Sequence, residues 1–147
     1  MGTVEPPHEF EPGSGADIVT FPVRARDGGG WEEAAGYSRA ARIGNIIAVS
    51  GTTAHSDDGV AHLGDTYGQT RASLERALSA VEMLGGTREG VLRTRVLLTP
   101  EADWEEAARA HRDILGSVAP ANSMYTVAGL VGEGFLVEIE IDAVVSE

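Results

Sequence analysis

The sequence predicts one α+β domain, a mixed sheet with two helices on one face in the order ββ-α-β-α-ββ, and three observations carry that prediction. At 147 residues the chain suits a single domain, long enough to bury roughly 68–70% of its unfolded surface. Two stretches, 65–84 and 103–115, show helical spacing and are separated by apolar, β-branched runs of strand length. After residue 30 nothing repeats and no linker interrupts the pattern, so the helices segregate against one sheet.

Residues 1–30 are rich in Pro, Gly and acids and read as an N-terminal extension with little core of its own. Within it Ile18-Val19-Thr20-Phe21 could add an edge strand. Gly13-Ser14-Gly15 and Gly28-Gly29-Gly30 are not phosphate loops, because neither follows a clear strand and opens a helix. The domain itself is assigned to 31–147. Strands are expected over 36–43 and 46–52, joined by Gly44-Asn45 as a two-residue hairpin turn. A polar loop follows over 55–62. In the first helix Leu74, Ala77, Leu78, Val81 and Leu84 form one stripe, and Gly85-Gly86 stops it. A strand over 91–98, a second helix over 103–115 ended by Gly116, and closing strands over 124–128 and 135–145 complete the order.

Composition excludes several chemistries. There is no cysteine, which removes thiol catalysis and thiolate metal sites. All 11 basic residues are arginine, so no lysine is present to form a Schiff base. The formal charge of −12 repels phosphate backbones, which argues against a nucleic-acid partner. His8, His55, His62 and His111 show no ligand spacing, and no Gly-x-Ser-x-Gly elbow occurs. No metal or cofactor is expected. The N-terminus lacks a basic region followed by an apolar one, and no apolar run approaches about 20 residues, so the expectation is a cytoplasmic protein without a membrane partner.

The last strand is the most suggestive segment. In Leu136-Val137-Glu138-Ile139-Glu140 the two carboxylates lie two apart among apolar residues, hence on one face. Either that face is solvated, as on an ordinary amphipathic strand, or the carboxylates meet a partner or ligand.

The chain resembles the Rid family (YjgF/YER057c/UK114), small trimeric proteins that include enamine/imine deaminases. The likeness runs from about Gly36 to Val145. It rests on Gly36-Tyr37-Ser38-Arg39-Ala40, Val49-Ser50-Gly51-Thr52, Asp65 with Gln69, Arg93-Thr94-Arg95-Val96, Asp103-Trp104, Pro120-Ala121, and Leu136-Val137-Glu138-Ile139-Glu140. The resemblance implies a YjgF-like (chorismate-mutase-like) fold, a homotrimer with a barrel-like interior, and a small-molecule ligand. It makes Glu138 the acid/base and Tyr37 a second catalytic residue, its ring walling the ligand and its hydroxyl donating to a developing charge. Ser50 and Gly51 become backbone binders of a ligand oxygen, Met124 an apolar lining residue, and Glu140 a structural carboxylate. Some relatives have been labelled ribonucleases, a role the acidic charge opposes.

One position departs from the pattern. Where the deaminases carry an arginine that grips the substrate carboxylate, this chain has Asn122. An amide keeps a donor but supplies no charge. Arg93 and Arg95 could in principle compensate, although both read as structural or interface residues. The expected activity is therefore on an imine, enamine or other tautomerisable molecule, by hydrolysis or proton transfer, and not on ordinary 2-imino acids. The alternative is a trimeric ligand-binding or accessory protein without turnover, which would have less need of an ionisable, buried Glu138. On the second helix, Trp104 and His111 fit packing better than catalysis.

Overall fold

The computed structural model describes residues 2–5, 23–28 and 30–146. The possible strand at 18–21 and the glycines at 13–15 lie outside the described residues. Strands β1 (Thr3–Glu5) and β2 (Val23–Arg26) precede a short helix α1 (Gly30–Ala35), and then come β3 (Ala40–Ile43) and β4 (Ile46–Thr52). A small hairpin, β5 (His55–Ser56) with β6 (Gly59–Val60), leads into α2 (Thr66–Met83). After it run β7 (Val91–Leu98), α3 (Trp104–Leu115), β8 (Ala121–Thr126) and β9 (Val137–Val144).

Seven of these strands make one mixed sheet in the order β1-β2-β3-β4-β9-β7-β8. Only β7 and β8 pair parallel, linked through α3, and the other neighbours are antiparallel. Alternation decides what each strand buries. On β9, Val137, Ile139, Ile141 and Ala143 are buried while Glu138, Glu140, Asp142 and Val144 are only half-buried. Ile47 and Val49 of β4 and Val96 and Leu98 of β7 join that core, which α2 closes with Leu74, Ala77, Leu78 and Val81. The opposite sheet face carries half-buried Arg95 and Leu97 and more exposed Ala48 and Tyr125.

The helices end where local chemistry directs. Asp65 caps α2 by accepting from the Gly68 amide, and Asp103 caps α3 by accepting from the Glu105 and Glu106 amides. Gly85, at φ 87°, reverses the chain after α2 in a conformation that suits glycine. Gln69 of α2 is fully buried and staples the loop before β9: its amide donates to Gly134 O at 2.9 Å, and its carbonyl accepts from Leu136 N at 2.8 Å.

From β3 onward the element order follows the sequence expectation, except that the expected polar loop over 55–62 holds the β5–β6 hairpin and the strand expected over 124–128 spans Ala121–Thr126. Further differences lie elsewhere. The N-terminal stretch contributes β1 and β2 to the sheet, where Ala25 pairs with Ala40 and both are buried. The expected strand over 36–43 begins only at Ala40, and the unforeseen α1 lies just before it. Trp104 is 60% exposed, so it takes no part in the core of the chain. It sits at the first position of α3, while the buried stripe falls on Ala107, Ala110, Ile114 and Leu115.

Candidate functional site

A β-bulge sets up the site. Val49 pairs with Ile141 and Thr52 with Ile139, so three steps along β4 match two along β9. The extra residue lets Thr52 continue the buried row while Gly51 turns toward Glu138. Contact there is close: a Cβ on Gly51 would fall 2.5 Å from Glu138 Oε1 and 2.7 Å from its Cδ. Glycine is what allows the carboxylate to lie over the β4 backbone.

The segment before β3 is fastened to the same bulge. Ser50 N donates to Arg39 O at 3.0 Å, and Ser50 Oγ donates to Ser38 O at 2.6 Å. Arg39 returns a bond from its Nη2 to the Gly51 carbonyl. Its guanidinium carbon lies 6.0 Å from the centre of the Tyr37 ring, at the outer limit of a cation–π contact. Tyr37, Arg39, Gly51 and Glu138 thereby line one open cavity of about 710 Å³, with Phe135 and Val131 supplying apolar wall. Ser50 and Tyr37 also border a smaller adjoining hollow of about 380 Å³.

Burial pushes the Glu138 carboxyl above the ordinary carboxylate range, and neighbouring Glu140 adds to that shift, while Arg39 opposes it. Arg39 is only 9% exposed. Burial lowers its own proton affinity, as does the second cation, Arg76. Arg76 is bound to Asp27 at 2.6 Å and to the Thr53 carbonyl at 3.1 Å. Glu32 of α1 is buried, accepts from Asp27 N at 3.0 Å, and has its proton affinity raised by burial and by Asp27.

Asn122 does not join this group within the chain. It pairs directly with Thr94, a fully buried residue of the helix-covered face. Its Nδ2 donates to Thr94 Oγ1 at 2.9 Å, and that hydroxyl lies 2.7 Å from His111 Nε2 on α3. Met124, two residues on, packs partly buried against the core. Glu138 instead pairs with Leu97, which pairs with Tyr125. Residues 122 and 138 therefore lie on opposite faces of one subunit's sheet. Glu140 and Asp142 meet Arg95 at 3.7 and 3.2 Å, so that arginine is held by carboxylates of its own sheet.

Sequence reasoning gave Tyr37, Gly51 and Glu138 a shared place and assigned Arg39 none. No signal in the neighbouring residues marks it, since Arg39 is held by the Gly51 carbonyl of β4, twelve residues on. Among the described residues no group of three His, Asp or Glu side chains is arranged to hold a metal ion. None of their helices is long and apolar enough to cross a membrane.

Comparison with known proteins places these features in context. Residues 31–145 match the family model described as endoribonuclease L-PSP. An uncharacterized protein of Streptomyces coelicolor, SCO2049, is 36% identical over 120 residues, covering 82% of this chain and 90% of that protein. The crystal structure of Rv2704 from Mycobacterium tuberculosis, a member of the YjgF/YER057c/UK114 family, superposes with a TM-score of 0.76 at 39% identity, covering 84% of this chain and 99% of the other. The YjgF gene product of E. coli gives 0.67 at 26% identity, over 74% and 87% of the two chains.

Proposed function

The chain belongs to the YjgF/YER057c/UK114 (endoribonuclease L-PSP) family, and from that premise we propose that it acts on a small imine, enamine or related tautomerisable molecule. Glu138 is the acid/base group. The observation that carries this reading is a half-buried carboxyl of raised proton affinity, laid on a glycine backbone in a cavity walled by Tyr37. A carboxyl of raised proton affinity holds and releases a proton more readily in acid/base chemistry than an ordinary, fully ionised carboxylate. For an enamine, Glu138 would protonate the β-carbon to give the iminium. For an imine, its carboxylate would take a proton from water as the oxygen adds to the C=N carbon. Returning that proton to nitrogen gives the carbinolamine. Glu138 then moves the carbinolamine's hydroxyl proton to nitrogen as C=O forms and the C–N bond breaks, so one water is consumed and a carbonyl compound and ammonia are released. Tyr37 offers a hydroxyl to the developing charge, and Ser50 and Gly51 offer backbone to a ligand oxygen.

Short 2-imino acids are expected to be poor substrates. The residue that grips their carboxylate in the deaminases is here Asn122, an uncharged amide already donating to Thr94. The substrate is anchored otherwise than through that position. The family model's description names an endoribonuclease, yet a charge of −12 works against capture of a phosphate backbone. A cytoplasmic homotrimer with Asn122 and Met124 of one subunit near the cavity of the next is part of the same proposal, since residues 122 and 138 share no face within a subunit.

The test is turnover across a panel of imines and enamines generated in situ, followed by ammonia release. Glu138→Gln should lower the rate by about 10²–10⁴ while Glu140→Gln costs far less. Equal rates for Glu138→Gln and the unchanged protein would put the second reading ahead, a ligand-binding protein without turnover.

A further inference from the structure

We propose that Arg39 is the anion-binding group of the cavity, so that the ligand carries a carboxylate recognised from the Tyr37 side and not through residue 122. This deepens the enzymatic reading by naming a substrate class, but the binding claim stands apart from turnover.

Arg39 is a buried cation with no ion pair among the described residues. A guanidinium keeps its charge at any physiological pH, and a buried one needs an ionic partner or a full set of acceptors. Arg39 is nine-tenths buried, yet among the described residues no carboxylate lies within ion-pair distance of it. Its Nη2 donates to the Gly51 carbonyl, while its Nε is buried without any acceptor. Two other arginines near sheet or cavity are differently placed: Arg76 is tied to Asp27, and Arg95 to Glu140 and Asp142. Arg39 is thus a buried cation that borders an open cavity, with Asp27, Glu32 and Glu138 acting on it only from beyond ion-pair distance.

Position makes the Arg39 site specific. Arg39 and Glu138 both contact Gly51, one at its carbonyl and the other over its Cα. A molecule bound by Arg39 therefore lies next to the acid/base carboxyl. The remaining charges around the cavity are Arg26, Asp27, Glu32, Asp57 and Arg76. Asp27 is engaged with Arg76 and, through its backbone amide, with Glu32. A carboxylate fits this opening because a guanidinium binds it with parallel hydrogen bonds at a planar fork. Since Asn122 is on the opposite sheet face, the anion is presented differently from that of a 2-imino acid in the deaminases.

Equilibrium binding tests this without any substrate. Acetate, succinate, glutarate and benzoate are titrated calorimetrically in low-chloride buffer against their uncharged amides. At least one acid should bind tenfold or more tightly than its amide. Arg39→Gln should abolish that preference, Arg39→Lys should keep part of it, and Arg76→Gln should keep most of it. If Arg39→Gln fails to fold, the Lys variant and the acid–amide comparison on the unchanged protein still decide. Acids that bind no better than amides, as when a second subunit's carboxylate already neutralises Arg39, would overturn the proposal. So would an Arg39→Gln protein that retains the preference. Carboxylate binding through Arg39 with no turnover of any imine would leave this proposal standing and remove the enzymatic one.

Discussion

Replacing Gly51 by alanine should separate the site from the scaffold. The new Cβ would sit 2.5 Å from Glu138 Oε1, whereas ordinary contact begins at 3.4 Å, so the carboxylate must retreat by about 0.9 Å. The obstructing atoms are the far end of a flexible side chain, and rotating it costs on the order of 1 kcal/mol. Losing a strand glycine returns roughly 0.5–1 kcal/mol. The net change in Tm should therefore stay within about 4 °C. Function should change far more, because a displacement near 1 Å costs about 10²-fold in rate. Carbon-13 NMR of the glutamate carboxyls, with Glu138→Gln to assign the resonance, gives a readout that needs no substrate. The Glu138 midpoint should fall toward the ordinary range as the group moves into water. Gly86→Ala is the contrasting control: its Cβ would meet Val81 Cγ1 at 2.7 Å and Ile47 Cδ1 at 2.9 Å, so it should cost about 1–3 kcal/mol in stability and leave Glu138 unchanged. An unaltered Glu138 titration in Gly51→Ala would refute the contact on which the site is built.

Other consequences are equally accessible. Because Glu138 binds its proton more tightly when folded, its contribution to stability is complete below the ordinary carboxylate range and is lost as pH rises through the raised pKa. Glu138→Gln should consequently gain in Tm relative to the unchanged protein between pH 4 and pH 8, and a difference that is flat or reversed would contradict the burial argument. Gln69→Leu leaves the Gly134 carbonyl and the Leu136 amide without their buried partner, so urea unfolding should show a loss of about 2–4 kcal/mol. Light scattering at micromolar concentration should give a mass near three times 15.4 kDa, whereas a clean monomer would remove the intersubunit arrangement proposed for Asn122 and Met124.

Periodicity made most of the fold legible. The stripe from Leu74 to Leu84 and the alternation from Val137 to Ala143 are both buried as their spacing requires, because each run is long enough for its period to stand out. β2 escaped notice since its four residues hold one buried position, Ala25, between two arginines. Its place depends on pairing with β3, which is a non-local fact. The site divided along the same line. Glu138 was readable because a carboxylate interrupts an apolar strand. That Asn122 faces away from it was not, since facing depends on the register of β8 against β7 across the whole of α3. Arg39 was hidden for a related reason: its burial comes from the bulge at Ser50 and Gly51, which no local pattern around residue 39 announces.

The position of β9 also shapes how the molecule comes together in time. It lies between β4 and β7, and its pairs with β4 join residues as distant in sequence as Ile46 and Val144. Until it arrives, β1 to β4 and the β7–β8 pair are separate pieces, each offering an unpaired edge to other chains. Contacts of such long sequence separation slow folding and prolong exposure of those edges. During vectorial synthesis the first strands must wait for almost the whole domain before the sheet closes. The strand that bears Glu138 is thus also the keystone of assembly, and a defect in it should first be seen as aggregation of newly made chains.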